Sequence, residues 1–78
     1  MRFAKTAGKH KVPRHSAWYG VMTARPVPII TNWGEPGLWY QGTDDRGVDL
    51  EIITITRKGT EWIFHAMPIE HRHDNEVR

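Results

Sequence analysis

Residues 1–68 predict one α+β domain, with two short N-terminal helices packed on one face of a small antiparallel sheet of three to four strands in meander order. Residues 69–78 add a charged tail expected to be mobile. Three observations predict this. Two runs rich in β-branched and aromatic residues, 48–56 and 61–67, flank Arg57-Lys58-Gly59 and read as a hairpin. Ala17, Val21 and Ala24 recur at helical spacing between Pro13 and Pro26. The chain is 78 residues long, near the lower limit for a core that folds without staples.

Taken in order, residues 3–10 alternate Phe3, Ala4 and Ala7 with lysines and suggest a short helix, weakened at Gly8 and ended by Val12-Pro13. A second helix is expected from Pro13 to Ala24, because proline is tolerated in a first turn. Trp18 and Met22 adjoin its apolar stripe, which suits packing on the sheet better than any cofactor role. Arg25-Pro26-Val27-Pro28 stops it. Residues 29–31 form a short extended piece whose nearby prolines suit an edge strand, and 32–37 are a loop by composition. Residues 38–41 are a strand, 42–47 a turn, and the hairpin follows until Pro68 ends it.

The hairpin register depends on its turn. A two-residue Lys58-Gly59 turn places Lys58 at positive φ, which a long side chain resists, so a three-residue loop is expected, with Gly59 left-handed. Thr54 then faces Trp62, Ile52 faces Phe64 and Leu50 faces Ala66 on the core side. Glu51 falls opposite His65 on the other side, with Cβ atoms about 5 Å apart. Ile53, Ile55 and Ile63 share that second face with nothing to cover them, so a homodimer or a partner protein is expected there.

The net charge of +2 conceals an asymmetry. Residues 1–34 hold six basic side chains and no acid, whereas residues 35–78 hold nine acids against five basic side chains. A basic half fits a polyanion, and it equally fits a solvated face. Four tryptophans exceed what so small a core hides, so at least one is expected at a contact surface. The absence of cysteine excludes disulfides and thiolate metal sites. No apolar run is long enough to span a membrane and no signal peptide is evident, so a cytoplasmic location is expected.

Lys9-His10-Lys11-Val12 before a helix resembles the opening of BrnT-like toxins, in the RelE-like ribonuclease group. Leu38-Trp39-Tyr40-Gln41-Gly42, Gly47, Leu50-Glu51 and Ile63-Phe64-His65-Ala66-Met67-Pro68 are similar, in order and spacing, to small actinobacterial and phage-borne variants. The resemblance covers residues 9 to 72. It implies N-terminal helices on a bent antiparallel sheet, metal-independent RNA cleavage without a cofactor, a bacterial or host cytosol, and a cognate antitoxin that covers the active surface. The family has a serine-alanine-arginine segment where this chain has His65-Ala66-Met67, so the family's arginine is missing. Either His65 and Arg72 take over its work or the chemistry is lost.

Such cleavage needs a base for the 2′-hydroxyl, an acid for the leaving 5′-oxygen and cations for the phosphorane. His65 suits acid–base work, and Glu51 beside it can hold the ring in one tautomer or act as the base. Arg46 and Arg72 are candidates for the phosphate, Tyr40 and Trp39 for stacking a base, and Lys9 and Lys11 for RNA binding. Against these stand a structural Glu–His contact, a solvated Arg46 and a packed Trp39. His71 and His73, with Glu70 and Asp74, have a metal-like spacing but no rigid further ligands nearby, so no metal is expected. No P-loop, dinucleotide glycine motif or serine triad occurs. The reading from sequence is therefore a toxin-like endoribonuclease; the alternative is a non-catalytic phage or bacterial protein that grips a host or partner protein through the exposed sheet face.

Overall fold

A computed structural model describes residues 1–69. The order is β1 (Arg2–Phe3), a 3₁₀ turn (Lys5–Gly8), α1 (Arg14–Met22), β2 (Pro26–Ile30), β3 (Pro36–Thr43), β4 (Asp49–Arg57) and β5 (Thr60–Pro68). The five strands form one mixed sheet in the order β1-β5-β4-β3-β2. The fold class expected above is therefore corrected: there is one α-helix, not two, and five strands, not three to four. The segment expected as a first helix is instead a two-residue strand, paired parallel to β5, followed by a single 3₁₀ turn. The amide of Ala4 donates to the Ile63 carbonyl at 2.9 Å, which holds this segment along the β5 edge. The tail and its His71 and His73 fall almost wholly outside the described residues, as does Arg72.

The helix buries its small residues. Ser16, Ala17, Gly20 and Val21 face the sheet, while Trp18, Tyr19 and Met22 are exposed. Trp18 and Met22 thus point away from the core that they were expected to adjoin. Close approach is the physical reason. A Cβ on Gly20 would lie 3.0 Å from Cδ1 of Ile52, and one on Gly42 would collide with the Gly20 carbonyl oxygen. Helix and sheet backbones meet here, so large side chains can only turn outward. Thr23 ends the helix, its hydroxyl donating to the Thr43 carbonyl at 3.0 Å. At the other end the Ser16 hydroxyl donates to Asp45 at 2.8 Å, tying α1 to the β3–β4 loop.

The β4–β5 turn is the two-residue one. Arg57 pairs with Thr60, and Lys58 and Gly59 have φ of 50° and 77°. Near the turn the faces of the β5 residues are therefore the reverse of those expected, while those of β4 stand: Thr54 pairs with Ile63, and Ile55 with Trp62. A bulge then adds Phe64, after which Ile53 pairs with His65 and Ile52 with Ala66. Leu50, Ile52 and Ala66 lie on the helix side as expected. Ile63 joins them in the core, whereas Trp62 and Phe64 lie on the opposite face.

The expectation of three uncovered isoleucines fails with that register. Ile63 is fully buried in the core cluster. Ile55, on the other face, is 1% exposed. Ile53 is half-buried. A homodimer or partner on this face thus loses the reason that motivated it. Among the described residues no helix is long and apolar enough to cross a membrane.

Candidate active site

The bulge positions the site. An added residue in one strand leaves a backbone group outside the ladder and turns neighbouring side chains the same way. Here the Thr6 hydroxyl donates to the Phe64 carbonyl at 2.8 Å, so the 3₁₀ turn satisfies the irregular strand. Phe64 and His65 both line a cleft of about 530 Å³ on the face away from α1. Thr6 and Lys9 form one wall, Asn32 and Trp33 of the β2–β3 loop another, and Glu51 and Ile53 the floor.

Glu51 and His65 meet in this cleft. The register is diagonal, since Glu51 pairs with Met67, yet Oε2 of Glu51 lies 3.1 Å from Nε2 of His65. The Glu51 side chain is 10% exposed and that of His65 30%, so the carboxylate sits behind the ring and the ring meets solvent. A carboxylate accepting from Nε2–H leaves Nδ1 as the nitrogen free to exchange a proton. The His10 ring packs edge-on against His65, with centroids 5.7 Å apart. Glutamate, histidine and histidine thus stand in a row, with the Lys9 ammonium beside them. Among the described residues that ammonium has neither a hydrogen bond nor an ion pair.

The aromatic wall is braced by charge. Arg57 donates to both oxygens of Glu35, at 2.7 and 3.0 Å, and the Trp33 indole donates to the same carboxylate at 3.0 Å. The Arg57 hydrogen bond, then that of Trp33, holds the Glu35 carboxyl below its ordinary range, and Glu35 raises the Arg57 guanidinium in return. The guanidinium also lies over the Phe64 ring at 4.9 Å, and Trp33 is tilted against Phe64 at 6.4 Å. Trp33 remains 58% exposed and presents its ring to the cleft mouth.

Of the residues singled out from sequence, Glu51, His65 and Lys9 come together here. The others do not. Tyr40 is 6% exposed on the core side, where its hydroxyl donates to Glu61 at 3.0 Å, so its ring cannot stack a base. Burial, then the Glu61 carboxylate, raises its hydroxyl pKa. Trp39, half-buried on the cleft-side face of β3 opposite Ile53, does not line the cleft. Arg46 is clamped in its own loop by two hydrogen bonds to the buried Asp44 and does not line the cleft either. Burial opposes the Asp44 charge, but the Val48 amide, the Arg46 guanidinium and the Arg46 amide overcome it and lower the pKa. Lys11, at φ 58°, lines a different concavity near Pro13. Arg72 lies outside the described residues.

His10 and Trp33 were missed as site residues. His10 stands inside the Lys9-His10-Lys11-Val12 motif, and the tryptophan excess already required an exposed indole. Both signals were readable, but neither says which side chain meets His65. Among the described residues no group of three or more histidine, aspartate or glutamate side chains is arranged to hold a metal ion. Compared with known proteins, the chain matches no family model, no characterised protein and no solved structure.

Proposed function

We propose that this chain is a toxin-like, metal-independent endoribonuclease acting through the Glu51–His65 cleft. The observation that carries the reading is a nearly buried carboxylate hydrogen-bonded at 3.1 Å to a solvent-facing imidazole, in a cleft lined by the Lys9 ammonium and an exposed indole. His65 takes the proton of the 2′-hydroxyl through Nδ1 as the 2′-oxygen attacks phosphorus. Glu51 holds the ring and stabilises the imidazolium that results. The P–O5′ bond breaks, leaving a 2′,3′-cyclic phosphate and a 5′-oxygen that takes a proton from His10 or from water. Lys9 faces the developing phosphorane charge, in the place of the missing family arginine, and Trp33 stacks a base. The reading draws on the RelE-like, BrnT-like sequence resemblance, and with it on a cognate antitoxin over the cleft, although the pair of N-terminal helices that the resemblance implies is not formed.

The test compares RNA integrity and growth arrest for wild type and His65→Ala. A folded His65→Ala should cut RNA about 10²–10⁴-fold more slowly, and Glu51→Gln should lose less. A second reading, a non-catalytic protein that binds a host protein, draws on the exposed Trp18, Tyr19 and Met22 of α1 rather than on the sheet. In that case purified protein leaves RNA uncut, and toxicity survives His65→Ala but not Trp18→Ala.

A further inference from the structure

Beside the cleft lies a second concavity of about 600 Å³, lined by Lys5, Arg57, Lys58, Thr60, Trp62 and Phe64 among others. It shares Arg57 and Phe64 with the first, so the two concavities adjoin at the Arg57–Phe64 stack. Trp62 and Phe64 stand two residues apart, about 6.6 Å by strand rise, on one face. Arginines already lie over both rings, Arg2 over Trp62 at 5.2 Å and Arg57 over Phe64 at 4.9 Å. Among the described residues no carboxylate lines this second concavity. Arg57 is held by Glu35, whereas the Lys5 and Lys58 ammonium groups are paired with nothing among the described residues.

Lys58 carries a further signal. It occupies the left-handed region, at φ 50°, in a turn where asparagine or glycine sits with less strain. A lysine kept there at a conformational penalty points to a use for its charge.

We infer that Trp62 and Phe64 form a subsite for a base of single-stranded RNA flanking the bond cut in the neighbouring cleft, with Lys5 and Lys58 on its phosphates. The inference rests on the proposed nuclease reading for its choice of ligand. Aromatic faces and arginine planes accept any base, and an acid-free rim of lysines suits a phosphodiester backbone.

The test is fluorescence anisotropy of the full chain with a labelled, 2′-O-methylated oligouridylate. This probe cannot be cleaved, because its 2′-oxygen bears no proton. Trp62→Ala should weaken binding about 10-fold or more. Lys58→Asn keeps the turn, weakens binding less and lowers the salt slope by about one. If this binding pattern holds but wild type leaves RNA uncut, the subsite stands and the nuclease reading fails. If RNA is cut while a folded Lys58→Asn keeps the wild-type affinity and salt slope, the subsite is overturned alone. Failure of wild type to bind the oligouridylate, or equal binding of polyglutamate, also overturns it and leaves an acidic protein as the occupant.

Discussion

The two faces of the sheet are built on opposite plans. On the α1 side lie Leu50, Ile52, Ile63 and Ala66, all fully buried in one cluster with Ala7 of the 3₁₀ turn and Ala17 and Val21 of the helix, and Glu61 is held there by two hydroxyls. The other face is a shallow layer of aromatic rings, arginines and one Glu–His pair, open to solvent along a groove. One side is closed by backbone contact between helix and sheet; the other is covered by no helix among the described residues. The difference separates what holds the fold from what is free to meet a ligand. It also predicts that substitutions on the two faces will have unlike effects.

The largest stability effect should come from the core face. Ile63→Ala removes a fully buried side chain and should cost about 2–5 kcal/mol. Ile53→Ala, half-buried on the open face, should cost about half as much. Denaturant unfolding of both variants checks this, and equal losses would erase the distinction between the faces.

Gly42→Ala attacks the same contrast through the backbone. Its Cβ would meet the Gly20 carbonyl and lie 3.0 Å from the Ala24 Cβ, so α1 must lift off the sheet. We expect a loss of about 1–3 kcal/mol, with the Glu51–His65 contact preserved because it lies on the far side. His65 chemical shifts that stay put while the melting temperature falls would show that separation.

How much was legible follows from the hairpin. The alternation of 48–56 and 61–67 marks both strands, and Glu51 and His65 do share a face. That placement rested on two compensating differences. The turn has one residue fewer in its loop than expected, which alone would put His65 opposite Ile52 on the core side. The bulge at Phe64 restores the parity. A bulge stabilised by the hydroxyl of Thr6, far away in sequence, leaves no local mark in the strand. The parallel strand Arg2–Phe3 was equally hidden, because two residues carry no periodicity. Lysines around Ala4 and Ala7 imitate a helix where only one 3₁₀ turn forms. The proline-flanked β2 edge and the helix after Pro13 were readable because proline acts locally.

A smaller effect is expected in the β3–β4 loop, which joins the two plans by carrying the chain into β4. The Asp44 carboxylate accepts from the amides of Arg46 and Val48, and from the Arg46 side chain. Asp44→Ala should cost about 1.5 kcal/mol. Its lowered pKa also gives a pH dependence of definite sign. The folded value lies below the ordinary 3.8, so the contribution is complete above that value and is lost as pH falls through the folded one. Wild type should therefore lose stability on acidification below about pH 4, and Asp44→Asn should lose less. A parallel decline in both would remove Asp44 from the account.

The smallest effect has the opposite sign. Lys58 sits at φ 50°, followed by Gly59 at φ 77°, in a turn whose first position favours asparagine. Lys58→Asn relieves a left-handed lysine without touching the core face, and should raise stability by about 0.5–1 kcal/mol. Urea unfolding at fixed salt measures this, with an unchanged m-value showing that the folded surface is the same. A gain in stability together with weaker binding of the oligouridylate would mean that the turn gives up stability to keep a charge at the groove. A loss of stability would instead mean that the Lys58 side chain holds the hairpin together, and the strain would no longer be evidence for a ligand.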